Sequence, residues 1–447
     1  MVRIAVLCWF FVPAAALGAS LSIHGSNTVG AELAPALVRA WLHNEGYRME
    51  QSVSDDPLEV RLVAANSEQT LTVGLASHGS STGFRDVAAR RADIAMSSRP
   101  IRPSEERELD ALGGFDPVAS EYVIALDGIA VIVHPDNPLT TMARATLADI
   151  FSGRGTHWRH YGWPTGGDIH VYARDNASGT FDTFANLVLG EDSLAESARR
   201  YESNDQLADD VAADPAAIGF VALPAIRGAK PVAVHELGTR PLMPSVFTVA
   251  TEDYSLARRL YFYVPRNNLS VVARSFLDFA VSSDGQDVVR SIGFVSQNLE
   301  TVAIRPPESA PEEYVRLVSG ANRLSVNIRF RPGATSLDSK ALHDLDRIAA
   351  FLQQPDNRNV RVMLMGFTDA QEAAPAFADQ LATVRADYIA SQLQRRGVPP
   401  TRVRGFGQDL PVASNSTEHG RQKNRRVEVW VYDAREYQPP LGGTIGR

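Results

Sequence analysis

Apolar residues recur along this chain with two periods, and each change of period marks a new element. Leu324, Val326, Ile328 and Phe330 alternate with polar residues, which predicts a strand with one buried face. Leu342, Leu345, Ile348, Ala349 and Leu352 then recur at helical spacing behind Ser336, a residue suited to cap a helix start. A second strand is predicted from Val360 to Met365. A second helix carries Leu381, Val384, Tyr388, Ile389 and Leu393 and stops at Gly397, and Val427, Val429 and Val431 supply a last strand. The order strand, helix, strand, helix, strand describes a small α/β unit. Upstream, short apolar strands such as Leu21 to Ile23, Leu71 to Leu75 and Ile169 to Arg174 alternate with helical stretches, which predicts an α/β domain with a largely parallel sheet.

The two patterns are separated by Ile304 to Arg316, where Pro306, Pro307 and Pro311 stand among Glu308, Glu312 and Glu313 without an apolar period. The expected division is a first domain at 20–303, a linker at 304–322, a second domain at 323–434 and a tail at 435–447. Arg3, the apolar run Ile4 to Leu17 and the small residues Gly18, Ala19 and Ser20 read as a secretory signal peptide over 1–19. That run is shorter than a membrane-spanning helix needs, and no other is longer, so no membrane span is expected. The expected location is the periplasm, in association with the cell wall or outer membrane. The only cysteine, Cys8, lies in the leader, so no disulfide is expected.

Composition narrows the partners. With 44% hydrophobic and 21% charged residues over 447 positions the chain reads as globular, and a net charge of −8 without a long basic block argues against nucleic acid. Ten histidines are scattered without an HxH or HExxH cluster, so no metal or cofactor is expected.

Three places in the first domain share one arrangement: a strand, a loop of glycine and hydroxyl residues, then a helix. The loops are Gly25-Ser26-Asn27-Thr28-Val29-Gly30, Gly79-Ser80-Ser81-Thr82-Gly83 before a helix near Phe84, and Ala177-Ser178-Gly179-Thr180 before a helix near Phe181. Free N–H groups at a helix start attract anions, and hydroxyls add neutral donors. Arg174 at the third loop adds a charge-assisted contact. The plainer reading of each loop is a helix N-cap.

At these residues the chain resembles the phosphate-binding proteins of bacterial ABC importers. Gly25 to Val29, Gly79 to Ser81, Asp93 to Ser98 and Arg174 to Thr180 stand where that family carries its GxxxT, GSS, DxxxS and RxxxSGT segments. The resemblance covers about residues 20 to 303. It implies a two-lobed periplasmic-binding-protein fold with phosphate contacts at Thr28, Val29 through its backbone, Ser80, Ser98, Arg174, Ser178, Gly179 and Thr180. It also implies inorganic phosphate or a similar oxyanion as ligand and an ABC importer as partner. Ser98 stands where the best-known members have an aspartate that accepts the proton of phosphate, so the resemblance does not carry their discrimination against sulfate. The stretch between Gly46 and Leu71 is added relative to typical members.

Around Gly366-Phe367-Thr368-Asp369 the second domain resembles OmpA-like domains, a small βαβαβ α/β fold. Leu381 to Ala386, Gly405-Phe406-Gly407, Pro411 and Gly420 to Val429 match as well. The resemblance implies that Asp369 and Arg385 hold the diaminopimelate of peptidoglycan, ammonium on carboxylate and carboxylate on guanidinium. The resemblance also implies that Asn424 and Arg425 or Arg426, from the basic run Arg421 to Arg426, brace the binding loop. Three departures stand out. Phe367 replaces the usual histidine or tyrosine, Ala378 replaces the usual asparagine, and the Asp369 to Arg385 interval is one residue long, with the extra residue expected in the loop Ala370 to Pro375.

The leading expectation is therefore a wall-tethered binding protein and not an enzyme. Two alternatives stay open. One is a phosphatase using Ser178, although no base stands beside it in sequence. The other is a structural wall-binding protein whose receptor part has lost its ligand.

Overall fold

The structure, a computed structural model, describes residues 19–56, 58–111, 114–176, 178–267, 269–330 and 336–436. The signal peptide expected over 1–19 lies outside these residues except for Ala19, and of the tail at 435–447 only Arg435 and Glu436 are described. The chain runs β1 (Ala19–Gly25), α1 (Ala34–Asn44), β2 (Arg48–Asp56), β3 (Glu59–Ala65), β4 (Thr70–Ala76), α2 (Ser80–Ala88), β5 (Ile94–Ser97), α3 (Pro103–Asp110) and β6 (Glu121–Val133). It continues through β7 (Thr141–Ala143), α4 (Arg144–Phe151), β8 (His170–Arg174), α5 (Gly179–Phe184), β9 (Arg199–Tyr201), α6 (Asn204–Ala213), β10 (Ala217–Ala222), β11 (Lys230–Pro231) and β12 (Ala233–His235). Then come α7 (Val246–Ala250), β13 (Ala257–Tyr263), α8 (Val271–Val281) and α9 (Ser283–Ser291). The last part holds β14 (Thr301–Val302), α10 (Glu312–Val318), β15 (Asn322–Arg329), α11 (Ser339–Gln353), β16 (Val360–Gly366), α12 (Pro375–Arg395), β17 (Arg402–Gly405), α13 (Glu418–Asn424) and β18 (Arg426–Asp433).

Strands β2-β3-β4-β1-β5-β13-β6-β10-β8-β9 lie side by side in that order, with β11 against β6. β6 is the joint between two lobes: residues 121–128 pair with β13 and 129–133 with β10. One lobe packs Leu21, Ile23, Leu37, Trp41, Val73 and Phe276, and the other packs Phe151, Trp158, Phe184 and Phe220. The sheet is mixed and not largely parallel as expected. β1 runs parallel to β4 and β5, but β13 is antiparallel to both β5 and β6. The added stretch after Gly46 forms the antiparallel pair β2-β3 and extends the sheet edge next to β4, which a short connection permits.

The C-terminal sheet has the order β14-β15-β18-β16-β17. Helices α11 and α12 cover one face through Leu345, Ile348 and Ile389 against Leu324, Ile328, Leu364 and Val429. Four expectations need correction. Asp338, not Ser336, caps α11, accepting from Ala341 N at 2.7 Å. Strand β17 adds to the expected order. Val384 is exposed rather than packed on the sheet. The segment read as a linker at 304–322 contains α10, whose Tyr314 is buried among Phe367, Phe406 and Trp430 on the second face of the sheet.

The polar side of β15 is the most informative departure. Arg323, Asn327 and Arg329 alternate with the apolar residues as a solvent face would, yet all three are buried. Asn327 Nδ2 donates to Thr251 O at 2.9 Å and Asp253 Oδ1 at 2.8 Å, and Arg329 Nη2 donates to Thr251 O at 2.7 Å. That face is packed against the first domain.

Candidate functional site

The first site forms where strand ends and helix starts of both lobes meet. Gly25 ends β1 with φ of +142°, and a Cβ there would lie 2.1 Å from Met96 O, so only glycine lets β1 and β5 close up. Across the cleft, a Cβ on Gly179 would lie 2.7 Å from Thr28 Oγ1. The helices begin earlier than expected: Ser80 opens α2, Gly179 opens α5, and Thr28 is already in helical conformation ahead of a π-helical turn at Val29–Leu33. The hydroxyls thus sit on first turns and not in free loops.

Thr28, Arg174, Ser178, Gly179 and Thr180 line one cleft of about 580 Å³. Ser178 Oγ accepts from Phe181 N at 3.4 Å, so it also serves as the N-cap of α5. Arg174 lines the cleft, but its Nε and Nη2 donate to Tyr201 O and Glu202 O at 3.2 and 2.7 Å. Burial pulls Arg174 below its ordinary pKa, against the opposing pull of Asp175 and Glu32. Ser80 and Ser98 form a second group: Ser98 N donates to Ser80 Oγ at 3.2 Å, and Ser98 Oγ donates across to Asp182 Oδ2 at 3.2 Å. The Val29 side chain belongs to the apolar core of its lobe.

Arg258 on β13 joins the two groups, and sequence reasoning missed it. Its Nη2 donates to Thr28 Oγ1 and Gly179 O, both at 3.0 Å. Its Nη1 donates to Asp182 Oδ2 at 3.2 Å and Ser98 O at 3.4 Å, and its Nε to Asp127 Oδ2 at 3.3 Å. Because Thr28 Oγ1 accepts from Arg258, its own proton is free to donate elsewhere. The available signal was a pair of arginines, Arg258 and Arg259, inside an otherwise apolar and aromatic strand. Arg258 stands directly opposite Asp127 of β6 in the register.

The second site lies at the C-terminal ends of β16 and β17. A Cβ on Gly366 would lie 2.2 Å from Ala382 O, so α12, which carries Arg385, rests directly on the strand, and Glu372 stands between Arg385 and Asp369. Both are buried. Asp369 Oδ2 accepts from Arg425 Nη1 at 2.8 Å, while Oδ1 accepts from Gln371 N at 2.6 Å and Glu372 N at 3.1 Å. Burial alone would lower the pKa of Arg425, but the bonds to Asp369 and Glu418 outweigh it and raise it. Asn424 Oδ1 accepts from Val412 N and Ala413 N at 2.9 and 3.1 Å, and its Nδ2 donates to Asn415 Oδ1, which in turn receives Ala370 N. Arg385 makes a two-point bond to Glu372, with Nη1 to Oε2 at 2.5 Å and Nη2 to Oε1 at 2.6 Å. Glu372 was not anticipated as a site residue.

Among the described residues no group of three or more histidine, aspartate, glutamate or cysteine side chains could hold a metal ion, and no helix is long and apolar enough to cross a membrane.

Comparison with known proteins agrees with this anatomy. The PBP superfamily domain matches residues 52–284 and the OmpA family matches residues 329–425. Protein SphX of Synechococcus elongatus is 30% identical over 242 residues, covering 52% of this chain and 70% of that protein. The phosphate-binding protein PstS of Borreliella burgdorferi is 25% identical over 226 residues, covering 49% of this chain and 77% of that protein. The crystal structure of a "possible phosphate binding protein" from Planctomyces limnophilus shares the fold, with a TM-score of 0.51 at 22% identity over 62% of this chain and 93% of that one. The chain belongs to the PBP superfamily, with relatives among phosphate-binding proteins, and carries an OmpA-family domain behind its receptor part.

Proposed function

We propose that this protein binds and does not catalyse: it captures a phosphate-type oxyanion between Thr28 and Ser178-Gly179-Thr180, and it grips peptidoglycan through Asp369 and Arg385. The observation that carries the first half is the meeting of Thr28, Ser98 and Gly179, from three distant segments, around the single guanidinium of Arg258. The naming of relatives as phosphate-binding proteins supports the same ligand. Glu32, Asp127, Asp175, Glu202 and Asp205 line the cleft beside Arg174. A protonated phosphate can donate to such carboxylates, whereas sulfate has no proton to give, so the cleft chemistry favours phosphate even with serine at position 98.

Wall binding through the OmpA-family domain would confine the receptor to the periplasmic side of the wall. Such tethering suits storage, sensing or surface uptake better than rapid delivery to one importer.

Calorimetry with phosphate, sulfate and arsenate tests the receptor half. Heat with phosphate and none with sulfate is the expected result, and no heat with any oxyanion leaves a structural wall protein as the better reading. Co-sedimentation with purified sacculi tests the other half: the Asp369→Ala, Arg385→Ala double variant should stay in the supernatant, and unchanged sedimentation would remove the site assignment.

A further inference from the structure

A guanidinium buried as deeply as Arg385, about 1% exposed, needs a carboxylate partner, because an unpaired buried charge is strongly destabilising. Here the partner comes from the chain itself. Glu372 lies in the segment between Asp369 and α12. The segment is folded back by Asp369, whose Oδ1 accepts from the backbone N–H groups of Gln371 and Glu372. The Glu372 carboxylate thereby reaches Arg385 in a parallel two-point pair and comes within 3.9 Å of Arg425 Nε. This is the geometry in which a guanidinium takes any carboxylate.

The rest of the site shows that Glu372 occupies the one exchangeable place. Arg425 is already held by Asp369 at 2.8 Å and by Glu418 at 2.6 Å. The buried Nε atoms of Arg385 and Arg425 have no hydrogen-bond partner. A carboxylate arriving from outside finds both Nη atoms of Arg385 taken by Glu372, and replacing Glu372 there leaves the guanidinium paired with one carboxylate.

We infer that Glu372 is a further residue of the wall-binding site, its internal counter-ion. An amino-acid end with free ammonium and carboxylate groups binds by exchanging its carboxylate for that of Glu372, and the segment 370–374 swings out as it does so. Glu372 thus sets the affinity, since every ligand must first displace it. This inference rests on the reading that Arg385 receives the ligand carboxylate.

Calorimetry of the full chain with meso-diaminopimelate, together with sedimentation on sacculi, tests it. Glu372→Gln removes the charge but keeps the shape, and it should bind about tenfold tighter than the unaltered protein. Glu372→Asp, whose shorter side chain keeps the charge but cannot span the same distance, should fall between the two, and melting curves establish that both variants are folded. Binding by the unaltered protein that is lost in Arg385→Ala but equal or weaker in Glu372→Gln overturns the exchange while leaving wall binding intact. Absence of binding by the unaltered protein and by both Glu372 variants removes the wall-binding reading, and the exchange falls with it.

Discussion

Arg259 Nη1 donates to Asp338 Oδ2 at 2.7 Å, tying β13 of the receptor part to the residue that caps α11 of the OmpA-family domain. Arg259 Nε also meets Glu252 Oε2 at 2.9 Å, and all three side chains are largely buried. Removing one partner of such a network leaves uncompensated charge and costs about 3 to 5 kcal/mol. Arg259→Ala should therefore lower stability by about that amount and split thermal unfolding into two transitions, one per part. A single unshifted transition in calorimetric melting would contradict the coupling.

Acid should act on the same network. Burial alone would raise the pKa of Glu252, but the charges of Arg259, Lys340 and Arg329 outweigh it and hold it at about 2. Burial opposes ionisation of Glu428 too, and Arg323 and Arg426 hold it at about 2. A carboxylate depressed on folding contributes stability that is present above its ordinary value of 4.5 and lost as pH falls towards 2. Denaturant midpoints should decline gently below about pH 6.5, where burial holds the His419 pKa down at about 4, and more steeply below about pH 4.5.

At Lys423 the buried charge is destabilising rather than stabilising. Burial, with Arg329 nearby, pushes its pKa down to about 8, and its Nζ donates only to Tyr254 O among the bonds described. The unfolded chain holds that proton more tightly, so stability should rise as pH goes from about 8 to about 10. Lys423→Met should raise the urea midpoint at pH 7, and a fall by more than the value of one hydrogen bond, about 1 kcal/mol, would contradict it.

Arg258→Gln removes the guanidinium that orients the Thr28 hydroxyl and ties Ser98, Gly179 and Asp182 together. Phosphate affinity by calorimetry should drop at least about tenfold, about 1.4 kcal/mol. Arg258→Lys keeps the charge without the fork and should recover only part of it.

Gly179→Ala would place a methyl group 2.7 to 2.9 Å from three atoms of Thr28. The lobes must then separate by a few tenths of an ångström or more. Oxyanion binding should weaken about tenfold or more with little change in the melting temperature of the ligand-free protein.

The elements were legible because burial on a strand or helix repeats along the chain itself. Leu324, Val326 and Ile328 announce β15, and Gly397 ends α12 with φ of +82° as a helix stop requires. The loops of glycine and hydroxyl residues and the Gly366 to Asp369 segment also stood out, since their residue types are tied to local backbone shape.

Charge partners were not legible in the same way. Arg258 meets Thr28 across 230 positions, and the polar side of β15 finds Thr251 and Asp253 instead of water. Period two distinguishes the sides of a strand but not whether the polar side meets solvent or another domain. By itself the sequence determined two α/β parts and the glycine and hydroxyl segments at their strand ends. Only the tertiary structure decided that Arg258 joins Thr28, Ser98 and Gly179 and that Glu372 already covers Arg385. Ion pairs are chosen by which distant surfaces dock, and a carboxylate goes to whichever buried guanidinium the folded chain leaves within reach.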